Sequence, residues 1–231
     1  MEHHLSIEES IRFGWQKTRA HSTLIFQTLL TLFAVQIAQQ VVTRVLAHTL
    51  DGALASAALL VLAMVLGIGF MLITLRITEG KPVAYKDIVP PLRVSVAYIG
   101  ANVLAAIVTV VPLVAGLVAC LVAYALLPTA AAMVAYAIIA AVALVAAAYF
   151  ALRYALVRFA ILDDGDIIKS LRTSAHITEG HKWWLLGFAI TLVLLNVVGA
   201  ILLMVGLLVS IPVSMFAMAH VYVQLRGPRA N

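Results

Sequence analysis

The chain has 231 residues, of which 64% are hydrophobic and only 11% charged. An ordinary soluble domain carries roughly 25% charged residues, and a soluble fold of this composition could not keep so much apolar surface from water, so the solvent that fits is a bilayer. The formal charge of +5 would raise nucleic acid in a soluble protein, but here the bases stand in short segments between apolar runs, where they set topology and meet anionic lipid; nucleic acid is not an expected partner.

The first 21 residues hold Glu2, Glu8 and Glu9 among the bases. No convincing small-residue cleavage site follows the first apolar run, so that run is expected to remain as an uncleaved membrane helix. A spanning helix needs about 20 mostly apolar residues. Six stretches qualify: 23–43, 54–75, 96–123, 130–152, 183–199 and 203–223. Pro112 and Pro212 fall inside the third and sixth. Both are expected to kink a helix rather than end it, because neighbours in a bundle can satisfy the freed carbonyls. The last two runs are close, with no charge between them. A tight turn within 199–206 leaves enough chain for two spans, the alternative being a buried hairpin that does not cross fully. No polar linker separates two halves, so a single transmembrane domain over 1–231 is expected. The one cysteine, Cys120, lies in an apolar run and has no intrachain partner; it reads as a packing residue.

Orientation follows from where Lys and Arg lie. With six spans, the segments before the first, between the second and third, between the fourth and fifth, and after the sixth share one side. They hold 14 of the 15 bases, and the other side has only Arg44. Six spans with both termini cytoplasmic are therefore expected.

The basic segments repeat a pattern. Ser6-Ile7-Glu8-Glu9-Ser10-Ile11-Arg12, Asp87-Ile88-Val89-Pro90-Pro91-Leu92-Arg93 and Asp166-Ile167-Ile168-Lys169-Ser170-Leu171-Arg172 each precede an apolar hairpin. Ser or Asp suits an N-cap, Ser6 with Glu9 fits a capping box, and prolines are tolerated in a first turn. The pairs Ile7/Ile11, Ile88/Leu92 and Ile167/Leu171 lie four apart, on one helix face, which Trp15 and Ala175 extend. The expected fold is therefore an all-α integral membrane protein of six transmembrane helices. It is built as three repeats, about 6–76, 87–152 and 166–224, each an interfacial amphipathic helix followed by a transmembrane hairpin.

Chemistry is sparse. An ionisable residue at mid-bilayer is costly and marks function, and none stands there; Arg153 and Arg158 can snorkel from the end of the fourth span. Gln36, Gln39, Gln40, Asn102 and Asn196 lie within spans and read first as interhelical hydrogen-bonding groups, second as a polar path. His3, His4, His176 and His181 lack the companions of a zinc set and read as solvated or interfacial. Asp163, Asp164 and Asp166 lack the closing Glu of an EF-hand and read as ending one helix and capping the next. Ala143, Ala147 and Ala151, at four-residue spacing, would allow close helix packing. The segment Gly180-His181-Lys182-Trp183-Trp184 suits the headgroup zone, where indoles and cations anchor a helix. Candidate lipid or interface contacts are Arg12, Trp15, Arg93, Arg172, His181, Lys182, Trp183 and Trp184. No catalytic residue, cofactor or metal site is expected.

Several of these residues carry a resemblance. Phe159-Ala160-Ile161-Leu162-Asp163-Asp164-Gly165, Ser170-Leu171-Arg172-Thr173-Ser174, Thr178-Glu179-Gly180-His181-Lys182-Trp183, Ile211-Pro212-Val213 and Tyr222 to Leu225 follow one another. Together with Ser10-Ile11-Arg12-Phe13-Gly14-Trp15, they resemble the bacterial DUF975-like and YciC-like membrane proteins, related to the membrane domain of some glycerophosphoryl diester phosphodiesterases. The resemblance implies this architecture and a bacterial inner membrane. It implies no active site, since catalysis in the fused phosphodiesterases belongs to a soluble domain.

The function expected is that of a non-catalytic multi-pass membrane protein organising lipid or a membrane partner, with anionic headgroups, a partner protein or a second copy as ligands. The alternative is a small-molecule transporter or channel, which requires the span amides to converge on one cavity. A membrane enzyme would require Asp163, Asp164, His176 and His181 to act together.

Overall fold

A computed structural model describes residues 6–46, 49–126, 129–202 and 206–227, the side chains of 129–132 excepted. His3, His4, His48, Arg229 and the start of the expected sixth span lie outside the described residues. The described chain is helical: α1 (Ile7–Ala20), α2 (Ser22–Val45), α3 (Leu50–Thr78), a 3₁₀ turn (Tyr85–Ile88), α4 (Leu92–Leu126), α5 (Thr129–Arg153), α6 (Val157–Asp164), α7 (Ile167–Ile177), α8 (Lys182–Ile201) and α9 (Leu207–Arg226). Among the described residues, six stretches, in α2, α3, α4, α5 with α6, α8 and α9, are long and apolar enough to cross a bilayer. Pro112 and Pro212 lie inside α4 and α9 and end neither.

The chain divides into two compact units, Met1–Val96 with Phe188–Asn231, and Ala97–Gly187. Both boundaries fall inside helices, α4 and α8. No polar linker marks either boundary.

In the first unit, Ile25 of α2, Phe70, Ile73 and Ile77 of α3, Ile88 of the 3₁₀ turn and Phe216 of α9 form one core. The first half of α3 instead presents Leu54, Leu60 and Val61 outward, as a lipid-facing helix does. Thr43 Oγ1 lies 3.2 Å from Ser56 Oγ and Thr31 Oγ1 2.6 Å from the Tyr85 hydroxyl, fixing α2 along α3 and the turn after it. Two contacts set α9 against α3. Arg226 meets Glu79, and Phe216 joins the cluster of Leu66, Phe70 and Ile73. Both contacts join the C-terminal halves of the two helices, so they run side by side, and α9, with 20 residues, is nine residues shorter than α3, with 29. At 1.5 Å per residue that is a difference of about 14 Å in length.

Ser6 caps α1, its hydroxyl accepting from Glu9 N–H; Glu8 and Glu9 occupy the first turn and Lys17 and Arg19 the last, matching the helix dipole. The buried face of α1 is Ser10 and Gly14, with the apolar Ile7 and Ile11 only half-buried and Trp15 exposed. The reason is α9: a Cβ at Gly14 would collide with the Val213 carbonyl and crowd Ala217 N. The Phe13 and His220 rings stack beside this contact, centroids 4.1 Å apart.

The second heptapeptide forms no separate amphipathic helix. Its first half is the end of the 3₁₀ turn, Val89 is extended (φ −103°, ψ 97°), and α4 starts at Leu92. Pro90 and Pro91 explain this, since a residue before proline is driven out of the helical region. The Ile88 carbonyl rests on Gly69 of α3, where any Cβ would collide with it.

In the second unit, Ala101 and Ala105 of α4 pack with Val157 and Ile161 of α6. A Cβ at Gly116 would come 2.5 Å from the Ala143 Cβ, so α4 and α5 approach closely there. Ala147 is buried, whereas Ala151 is exposed. Gly165 ends α6 with φ +71°, and Asp166 caps α7, its side chain accepting from Lys169 N–H at 2.8 Å. The acidic run thus ends one helix and starts the next, as its residue types suggest.

Candidate functional site

Among the described residues of the first unit, two polar clusters lie on α9. One is at the end of α3 and α9. The Glu79 carboxylate meets Lys81 Nζ at 2.6 Å and Arg226 Nη1 at 2.9 Å, with side-chain exposures of only 9% for Glu79 and 16% for Arg226. Burial pushes the Glu79 carboxyl up, but the hydrogen bonds and charges of Lys81 and Arg226 outweigh it and hold the group below its ordinary value of 4.5. Arg76 stands 3.5 Å from Asp87, whose other carboxylate oxygen accepts from Ala84 N–H at 2.8 Å. The Glu79–Arg226 pair escapes a linear reading because 147 residues separate its members.

The second place is the α8–α9 hairpin. Asn196 Nδ2 donates to Ser214 Oγ at 2.9 Å and to the Leu192 carbonyl at 2.8 Å, and Ser210 Oγ donates to Asn196 Oδ1 at 2.9 Å. Gly199 and Gly206 meet backbone to backbone, where a Cβ on Gly206 would lie 2.5 Å from the Gly199 carbonyl oxygen. The hairpin is thus fastened by hydrogen bonds and by two residues without side chains.

Beside that hairpin, α1, α8 and α9 enclose a groove of about 490 Å³. Its lining is apolar apart from Arg12 and Ser210, and the Ser210 hydroxyl is turned to Asn196. Arg12 and Trp15 are therefore brought to one feature. Arg12 pairs with Glu8 one turn back, both side chains largely exposed, and Trp15 is 53% exposed.

None of the other expected contacts is among the lining residues of that groove. Arg93 is exposed in the first turn of α4, and Arg172 is exposed on α7. His181 is exposed, with Nδ1 3.1 Å from the Glu179 carbonyl oxygen. Lys182 Nζ sits 4.0 Å from the centroid of the Tyr149 ring, a cation–π contact. Trp183 is 86% exposed, and Trp184 is half-buried.

The span amides are not all bonded alike. Asn102 Nδ2 donates to the Tyr98 carbonyl of its own helix at 2.8 Å, Asn196 bonds across its hairpin, and Gln36 and Gln40 are exposed. Asp164 is held by Lys169 at 3.0 Å and by the Thr173 hydroxyl at 3.2 Å, while His176 is exposed. The Ser174 and Thr178 hydroxyls each donate to the Arg153 carbonyl at 3.1 Å. They satisfy an acceptor that the end of α5 leaves without an intrahelical partner. His220 is not the solvated histidine its residue type suggests: it stacks on Phe13, and its Nε2 is buried without a hydrogen-bond partner.

Compared with protein-family models, curated proteins and solved structures, the chain matches none.

Proposed function

We propose that this multi-pass membrane protein is non-catalytic and organises lipid or a membrane partner in a bacterial inner membrane, with both termini in the cytoplasm. The observation that carries this reading is the pairing of two capped amphipathic helices with apolar spans. α1 and α7 expose Arg12 and Arg172, and Trp15 and Trp183 stand exposed nearby in the chain. Cations and indoles of this kind suit the headgroup zone. The sidedness is supported by the distribution of Lys and Arg, 14 of 15 on one face of a six-span topology.

A repeat is supported between the first and third copies. Ser6 and Asp166 both cap, and the Ser10 and Ser170 hydroxyls donate to the capping residue's carbonyl at 2.9 and 2.6 Å. Arg12 and Arg172 are both exposed, and His21 and His181 each stand immediately before a span-length helix. The second copy keeps the pattern without the helix.

Transport has less support. Its five amides would have to line one path, and those of the first unit divide between α2, where Gln36 and Gln40 are exposed and Gln39 is half-buried, and a satisfied cluster in the α8–α9 hairpin. The embedded-enzyme reading loses Asp164 to its structural partners.

The test is native mass spectrometry of the protein purified in mild detergent. A stoichiometric phospholipid or protein partner, lost on charge reversal of Arg12, Arg93 and Arg172, is the expected result. Ligand-free protein indifferent to those changes would remove the reading and move attention to flux assays in liposomes.

A further inference from the structure

We infer that the groove between α1, α8 and α9 holds one acyl chain of an anionic phospholipid, with the phosphate at Arg12. This rests on the lipid-organising reading and gives it a site. Four observations carry it. The groove, about 490 Å³, is the size of an ordinary ligand pocket, roughly 300–1,000 Å³. Its walls include Ile11, Leu202, Val209 and Val213, which offer a hydrocarbon chain contact and offer water almost nothing. Leu202 and Val209 are exposed on a hairpin of span-length helices, so the groove opens where acyl chains are. Arg12 is its one charged lining residue, and its pairing with Glu8 is between exposed groups, worth too little to exclude a phosphate.

Ordinary annular lipid needs no such fixed shape. Here the walls are set by contacts that cannot close up: the Gly199–Gly206 backbone contact, the Asn196–Ser210–Ser214 hydrogen bonds and the seating of Gly14 on the Val213 carbonyl. Gly14 and Arg12 belong to the same short helix, so the contact that fixes the groove also fixes the cation beside it.

The experiment uses the full chain carrying Trp183→Phe and Trp184→Phe, which leaves Trp15 as its only tryptophan. It is reconstituted in phosphatidylcholine vesicles containing phosphatidylglycerol, with one lipid at a time brominated on its acyl chains, and quenching of Trp15 is read. Brominated phosphatidylglycerol should quench with about fivefold preference over brominated phosphatidylcholine, the factor that one basic residue at an anionic surface supplies. Arg12→Gln should bring that preference to about one. Val209→Phe, which fills the groove, should reduce quenching by both lipids; Leu202→Phe at its mouth is the second variant should Val209→Phe fail to fold. Equal quenching by the two lipids, unchanged by the filling variants, overturns the groove. If native mass spectrometry then still finds a retained phospholipid, the lipid-organising reading stands without this site. If it finds none, both fall.

Discussion

Glu79 concentrates the electrostatics of the first unit in one side chain. Its folded pKa lies below the ordinary 4.5, so the folded state holds the carboxylate while the unfolded chain takes up a proton first. The stability it contributes is therefore complete above pH 4.5 and is lost as pH falls from there through the folded value. Thermal unfolding in detergent should show a melting temperature that declines below about pH 4.5, and Glu79→Gln should flatten that part of the profile. At neutral pH, Glu79→Ala leaves Arg226 largely buried without its carboxylate and should cost about 3 kcal/mol, the low end for breaking a buried pair. A double-mutant cycle with Arg226→Ala measures the coupling; a value near zero would mean the pair is only a surface contact. Neither partner announces itself in sequence, because a terminal Arg and a loop Glu are ordinary until the fold brings them together.

Among the elements, α1 and α3 offer a controlled comparison of glycine. Gly14→Ala places a methyl against the Val213 carbonyl, which is backbone and cannot rotate away. Overpacking of this kind costs about 1–3 kcal/mol. Gly67→Ala, inside α3 with nothing within 4 Å of the added Cβ, should instead be neutral or stabilise by up to about 1 kcal/mol through helix propensity. Chemical denaturation of the two variants in one detergent decides this; equal costs would show that α1 is not seated on α9 as described. Capping chemistry made α1 and α7 legible as amphipathic helices, since Ser6 and Asp166 each precede a four-residue apolar spacing. The apolar pairs do not mark the most deeply buried positions. On α7, Ser170, Ser174 and Thr178 are all fully buried, because small polar side chains can return a hydrogen bond to a carbonyl and still let backbones approach. Hydropathy scores such residues as outward.

At the scale of the whole chain, the open question was whether the last two apolar runs reach as far as the others. With the C-terminal ends of α3 and α9 joined at Glu79 and Arg226, α9 is nine residues shorter than α3, about 14 Å. With Cys120 replaced by Ala, a cysteine at position 51, near the start of α3, should react with a membrane-impermeant maleimide added to the face opposite the termini. A cysteine at position 208 should react only after detergent is added. Equal labelling of both in intact vesicles would mean that the hairpin extends to the full height of α3.

The number of span-length helices and their approximate limits were determined by the sequence alone. Burial of a helix in lipid requires only a sufficient run of apolar residues, a local property that hydropathy reads directly. The ends of α6 and the start of α7 were equally local, being set by Asp and Gly types at adjacent positions. Only the tertiary structure decided which residues meet: Glu79 with Arg226, Gly14 with Val213, Asn196 with Ser210 and Ser214, Arg12 and Trp15 at one groove. In a chain whose surface and interior are both apolar, hydropathy cannot tell a lipid-facing side from a protein-facing one. Close packing and hydrogen-bond satisfaction between distant segments make that choice, and neither is written in any single stretch of chain.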